Sequence, residues 1–258
     1  MAVKDIEHGF QWWQLAYILG IGDIRQRYSR SRLGQFWISV SMLIFIVAIG
    51  IVYSFLFHQP IRTFLPYVAC NYVVWMWISS SISDSTYVFV QAKQYLEQTR
   101  IPRSVFALRV IIRNLVNFFH NILIVPLVFL CMMRPPSWTI ILAVPGIVLI
   151  LGCSFFTCLS IGIICTRFRD IPQVVQSVMQ IMMFLTPIMW PETSLNKDAQ
   201  IIVSYNPFAA LLHLVSKPLQ GIVPDVRDYT LASLAFLVIT VIALYIFSRF
   251  RARIVYWL

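Results

Sequence analysis

Charge is what this sequence has least of. Only 12% of its 258 residues are charged, and Asp and Glu together number 10. Soluble domains carry about 25% charged residues. Set against 59% hydrophobic residues and a mean hydropathy of +0.78, that scarcity excludes one or two ordinary soluble domains. Glycine is also sparse. None of the 9 glycines precedes a lysine, so there is no G-x-x-x-x-G-K-[ST] loop and no P-loop route to ATP hydrolysis within this chain. The 5 cysteines (Cys70, Cys131, Cys153, Cys158, Cys165) are odd in number, lack C-x-x-C spacing and all lie in apolar runs. This excludes a metal-site pattern and points to small apolar packing residues. There is no internal repeat or low-complexity tract. At the N-terminus Lys4, Asp5, Glu7 and His8 precede no apolar run with a small-residue cleavage site, so no signal peptide is expected. The net charge of +10 does not indicate nucleic acid, because the basic residues are confined to short segments between apolar runs.

What remains is a chain built to cross a bilayer. Apolar runs at about 36–57, 64–90, 105–133, 138–166, 174–190 and 229–247 predict an all-α integral membrane protein with six transmembrane helices, read as one domain. Residues 9–22 are aromatic (Trp12, Trp13, Tyr17) and too short to span, and they suit an amphipathic helix in the membrane interface. The stretch 191–228 carries Pro191, Pro207, Pro218 and Pro224, with apolar pieces too short to cross. It predicts short re-entrant or interfacial helices between the fifth and sixth spans.

Orientation follows from the basic residues. Arg25, Arg27, Arg30 and Arg32 crowd into eight residues before the first span, as a cytoplasmic anchor does. With six spans, Lys and Arg divide 15 to 5 between the two sides, which makes both termini cytoplasmic. Arg109 and Arg113, near the start of the third span, are expected to snorkel to the headgroups.

Few polar groups lie at depth. Asp84 would be the first candidate for a proton relay. The plainer reading is that it caps or pairs near the cytoplasmic end of its span, since no buried Lys, Arg or Glu is evident at its depth. His120 reads as a hydrogen-bonded helix contact. Two polar stripes keep helical spacing: Tyr72, Trp75, Ser79, Ser83 and Thr86 in the second span, and Gln173, Gln176, Gln180 and Phe184 in the fifth. Amides, hydroxyls and rings on one face suit a sugar path. They equally suit polar contacts between packed helices. Two short charged links, 91–104 and 167–173, resemble docking elements or simply solvated turns.

At these residues the sequence resembles a known family, the permease subunits of ABC-2 type exporters of O-antigen, capsular polysaccharide and teichoic acid. RQRYSRSRLGQFW (25–37), RFRDIPQVVQSVMQIMMFLTPIMW (167–190) and YNPF (205–208) carry the resemblance, in the family's order and over about residues 10–250. It implies a homodimer in the bacterial cytoplasmic membrane, two cytoplasmic ATP-binding cassette subunits that bind ATP and Mg, and no cofactor in this chain. It implies a polyprenyl-diphosphate-linked glycan as substrate. Coupling residues would be Glu97, Arg100, Pro102 and Arg103 in the first link and Phe168, Arg169, Asp170 and Ile171 in the second. The conduit would include Trp37, Tyr72, Trp75, Ser79, Ser83, Gln176, Gln180 and Phe184. Arg25, Arg27, Tyr28, Arg30 and Arg32 would meet the lipid headgroup, whose phosphate oxygens suit the planar guanidinium. The alternatives are an ABC-2 exporter of lipid or drug, and an ion-coupled lipid-glycan flippase.

Overall fold

The computed structural model describes residues 2–28, 34, 36–99, 101–135, 137–192 and 196–258. Among them every regular element is helical. Helices α1 (Ala2–Gln11) and α2 (Trp13–Tyr28) lead to α3 (Phe36–Leu56) and α4 (Ile61–Ser85). Two short helices follow, α5 (Val88–Gln91) and α6 (Lys93–Gln98), then α7 (Ser104–Asn121), α8 (Ile124–Cys131) and α9 (Ala143–Arg167), the last entered through a 3₁₀ turn, Trp138–Leu142. The chain ends in α10 (Ile171–Leu185), α11 (Lys197–Ser204), α12 (Pro207–Leu219), α13 (Val226–Phe250) and α14 (Ile254–Trp257).

The family motifs are turn hardware. Gly34 takes φ +57°, a left-handed conformation that costs glycine little, just before α3 begins. Pro172 sits in the first turn of α10, where its missing N–H is not needed. Asn206 caps α12 by accepting from Phe208 N at 2.9 Å, with Pro207 at the first helical position. The Asn206 amide also donates to Thr186 Oγ1 at 3.2 Å, which ties the T-P-I segment to the N-P turn. The Tyr67 hydroxyl of α4 lies 2.9 Å from Pro187 O and 2.8 Å from Trp190 O, holding the same segment from the other side.

Helix α4 is the hub. It packs against α3, α7, α8, α9, α10 and α12, and most of its length is buried. One core surrounds its outer part, through Trp75, Val68 and Ile78 with Ile150, Leu212 and Leu214. A second core joins Phe89, Phe106, Phe155, Leu159 and Phe247 towards the inner ends of α7, α9 and α13.

Among the described residues four stretches are long and apolar enough to cross a membrane: Phe36–Leu56, Ser104–Cys131, Trp138–Arg167 and Val226–Trp257. The expected second and fifth spans differ from these for separate reasons. Helix α4, at 25 residues, is about 38 Å long at ~1.5 Å per residue, and it is composition that sets it apart. Because protein surrounds it, it tolerates Asn71 and several serines that a lipid-facing helix would avoid. Helix α10 has 15 residues, about 22 Å against a hydrocarbon core of ~30 Å. It stops at Leu185, and the following Thr186–Met189 run buried without helical form. The run expected to continue to Val90 breaks after Ser85 into α5 and α6, and the third span breaks between Asn121 and Ile124. The expected interfacial helix is two helices meeting at Trp12, packed on α7, with Trp12, Trp13 and Tyr17 exposed.

The α9–α12 contact is close enough to exclude a methyl group. A β-carbon on Gly146 would stand 2.7 Å from the backbone carbonyl oxygen of Leu214. Gly146→Ala should therefore cost ~1–3 kcal/mol, read as a lower unfolding temperature of the detergent-solubilised protein. Gly22→Ala meets nothing within 4 Å and should leave that temperature unchanged or raise it slightly.

Candidate functional site

Three regions hold the residues the sequence singles out. Arg25 and Arg27 close the last turn of α2, where cations complement the helix dipole, and Tyr28 ends it. Arg30 and Arg32 lie outside the described residues, as does Arg100. Of the first link, Glu97 is exposed on α6, one turn from Lys93 at 3.8 Å, and Pro102 and Arg103 are half-buried. The second link is barer. Phe168, Arg169 and Asp170 are all exposed between α9 and α10, and Ile171 is half-buried. The C-terminal residues touch both links: Lys93 Nζ donates to Leu258 O at 2.8 Å, and the Arg167 guanidinium lies 5.1 Å from the Trp257 ring centre.

The structure does not bring the two polar stripes together within the protomer. On α4, Tyr72 stacks on Phe45 with ring centres 4.6 Å apart, and Trp75, 1% exposed, meets Phe208 edge-on in the core. Ser79 and Ser83 are half-buried and Thr86 is buried. Helix α10 presents Val175, Met179, Met182 and Met183 to the core. Its Gln173, Gln176, Gln180 and Phe184 face outward, Phe184 being 62% exposed. Trp37, in the first turn of α3, is 57% exposed.

The expectation that Arg109 and Arg113 snorkel is overturned. They stand one turn apart on α7 and turn inward to carboxylates. Arg109 grips Asp23 of α2 with two nitrogens, Nε at 2.8 Å. Arg113 reaches Asp23 at 3.1 Å and Asp84 of α4 at 2.9 Å, and Asn114 donates to Asp84 at 3.0 Å. Asp84 thus pairs near the inner end of α4, as the plainer reading holds. The premise that no buried cation shares its depth is wrong, since Arg113 is 4% exposed. A guanidinium between two carboxylates is stable where a lone one is not. The available signal was the i, i+4 spacing of two arginines inside an apolar run, opposite two isolated aspartates. His120 also departs from expectation: it meets Phe36 edge-on, ring centres 4.7 Å apart, and its buried Nε2 has no hydrogen-bond partner among the described residues. The cysteines are all free, four of them buried, with Cys131 exposed.

A cluster that sequence reasoning missed lies at the opposite end. His213 of α12 is set between Glu192 (Nε2–Oε1 3.0 Å) and Asp228 (Nδ1–Oδ1 3.3 Å). Lys217, one turn on, pairs with Asp228 at 2.8 Å and with Asp225 at 3.6 Å. Burial opposes a charged imidazolium, but the hydrogen bonds to Asp228 and Glu192 outweigh it and raise the His213 pKa. The hydrogen bond from His213 is the chief cause that lowers the Glu192 pKa. Only the i, i+4 pair of His213 and Lys217 hinted at this cluster; its acids come from separate segments. Among the described residues no group of three or more His, Cys, Asp or Glu could hold a metal ion.

Comparison with known proteins agrees with this architecture. A family model described as ABC-2 type transporter matches residues 14–219. Two proteins of Klebsiella pneumoniae, each named O-antigen export system permease protein RfbA, are 24% and 26% identical, over 93% of this chain and 93% of their own lengths. A protein of the same name from Myxococcus xanthus is 21% identical over 81% of this chain and 82% of its own.

Two outcomes follow from the charge clusters. Arg113→Met strands Asp84 and should cost ~3–5 kcal/mol in a denaturant titration. Combining it with Asp84→Asn should cost less than the two single changes summed. At the other cluster, His213 contributes stability below its unfolded value of 6.5 and loses it as pH rises through its raised folded value. Glu192 contributes above its unfolded value of 4.5 and loses it as pH falls through its lowered one. The unfolding temperature should therefore plateau between 4.5 and 6.5 and fall on the alkaline side, and His213→Gln should flatten that alkaline fall.

Proposed function

The chain belongs to the ABC-2 type transporter family, and from that premise we propose that it is the permease subunit of an exporter that moves a polyprenyl-diphosphate-linked polysaccharide, of O-antigen type, across the bacterial cytoplasmic membrane. The observation that carries this reading is the end-to-end similarity to O-antigen export permeases, over nearly all of both chains.

In this reading the working unit is a homodimer with two ATP-binding cassette subunits beneath it. ATP and Mg belong to those subunits, as the want of a P-loop in this chain requires. The exposed Phe168, Arg169 and Asp170 are the natural contact for such a partner: a ring flanked by charges, on a short link that leads straight into α10. Helices α4 and α10 serve as the second and fifth spans, which gives six crossings with both termini cytoplasmic. A second copy covers the outward glutamine face of α10, so the conduit forms between protomers rather than within one. Helices α11 and α12 form the re-entrant segment on the outer side. Asp84, the candidate relay, is engaged by Arg113 and Asn114 in a structural charge cluster, which favours ATP-driven export over an ion-coupled flippase.

The purified permease should show no ATPase activity alone and should support it only with its cassette partner. Asp170→Ala in the assembled complex should leave ATP hydrolysis within about threefold of wild type and reduce glycan export at least tenfold. Unchanged export would remove the coupling role of this link.

A further inference from the structure

A polar cleft of about 360 Å³ opens where three separate segments meet: helix α1, the first link and the turn just past α13. Helix α1 buries Ala2, Asp5 and Gly9, spaced i, i+3 and i+7, on the face that packs against α7. Asp5 already has its partners. Its Oδ1 accepts from Ser104 N at 3.2 Å and from Ser104 Oγ at 3.0 Å, which caps the start of α7. Its Oδ2 lies 3.7 Å from a nitrogen of Arg251.

The charges around this cleft do not balance. Lys4, Arg103 and Arg251 line it against one carboxylate, Asp5, and His8 adds a further nitrogen donor or acceptor one turn from Lys4. Glu7 is exposed on α1 outside the lining. Lys4 and His8 are exposed and have no side-chain hydrogen bond or ion pair among the described residues. Arg103 is half-buried, and its Nε–H, shielded from solvent, has no acceptor among the described residues. A buried donor without an acceptor is unfavourable, and a guanidinium is best matched by the oxygens of a phosphate or carboxylate. The first backbone N–H of α7 is taken by Asp5, so side chains supply the contacts.

The exposed face of α1 decides which anion fits. Val3 and Phe10, two turns apart on one face, are 68% and 53% exposed, and Trp12, Trp13 and Tyr17 prolong that apolar surface. Lys4 and His8 flank it, between the apolar face and the one packed on α7. Cations along the edge of an exposed apolar helix face suit a lipid, with its chains against the face and its headgroup at the edge. An acidic side chain of a protein partner would be matched by the cleft but not by the apolar face beside it.

We propose that the cleft between α1, the first link and the turn past α13 binds the phosphate of an anionic phospholipid of the membrane, through Lys4, Arg103 and Arg251, with the acyl chains beside Val3 and Phe10. A zwitterionic lipid carries the same phosphate with its own compensating cation, so the uncompensated positive charge of the cleft selects the anionic one. One bound lipid then joins three segments distant in sequence, the first link among them. The inference goes beyond the export reading and holds whatever cargo crosses.

Native mass spectrometry of the purified full chain in detergent tests it, with dioleoylphosphatidylglycerol, dioleoylphosphatidylcholine and inorganic phosphate as probes. Wild type should bind phosphatidylglycerol about tenfold more tightly than phosphatidylcholine. Lys4→Gln should weaken phosphatidylglycerol about fivefold and Arg103→Gln about tenfold, with phosphatidylcholine binding unchanged in both. Arg103→Lys should restore part of the loss. Lys4 is exposed, so Lys4→Gln should keep the unfolding temperature of wild type in phosphatidylcholine while gaining less from phosphatidylglycerol. Arg62→Gln, at the start of α4, should bind as wild type does. Equal affinity for the two lipids overturns the proposal, as does wild-type binding of phosphatidylglycerol in Lys4→Gln and Arg103→Gln. An equal loss in Arg62→Gln overturns it in favour of diffuse charge attraction. Inorganic phosphate binding as tightly as phosphatidylglycerol overturns it in favour of a bare anion site. Displacement of phosphatidylglycerol by the purified cassette partner overturns it in favour of a protein carboxylate.

Discussion

A guanidinium held inside an apolar helix bundle has to be neutralised, and much of the inner half of this protein is arranged around doing so. Arg113 lies between Asp23 and Asp84, and Arg109 completes the set. These four side chains come from α2, α7 and α4. Helix α2 is therefore joined by charge to α7 and to the C-terminal end of α4, after which α5 and α6 follow. Breaking such a cluster strands a buried charge, whereas apolar contacts at the same place would allow sliding. Any motion of the first link is thus tied to α2 and α7.

The second constraint is the need to satisfy backbone and side-chain polar groups where helices end inside the protein. The segments at Gly34, 186–190 and 205–208 supply devices for this. Gly34 supplies a left-handed turn ahead of α3, Asn206 and Pro207 start α12, and Thr186 receives the Asn206 amide while Tyr67 braces the carbonyls after Pro187. They fix the outer ends of α10 and α12 relative to α4. Close approach of α9 to α12 at Gly146 then locks the outer half. The outer cluster around His213 sits beside this joint, and its two acids make the joint's stability depend on pH.

Much of the fold was legible in the sequence. Runs of apolar residues set the helices, and α3 and α9 keep close to their expected limits because a lipid-facing helix must be apolar along its whole length. Helix α4 was harder to bound, since a helix enclosed by protein is free of that rule and its polar residues blur the edge of the run. The site was less legible. Periodicity placed Tyr72, Trp75, Ser79 and Ser83 on one face, but could not say that Trp75 is enclosed against Phe208 while Gln176 and Gln180 of α10 look outward. A helical period gives the face and not its direction, which depends on the neighbour.

The stretch 23–37 illustrates the division. By itself the sequence determined that its arginines crowd just ahead of an apolar run, that an apolar helix follows Gly34, and that the chain has no P-loop. These are properties of composition and local spacing. Tertiary structure alone decided that Asp23 serves the arginines of α7, and that Arg113 stands between aspartates of two different helices. Ion pairing between Asp23 and Arg109 joins residues 86 apart. Local pattern carries no information about which opposite charge will be nearest in space.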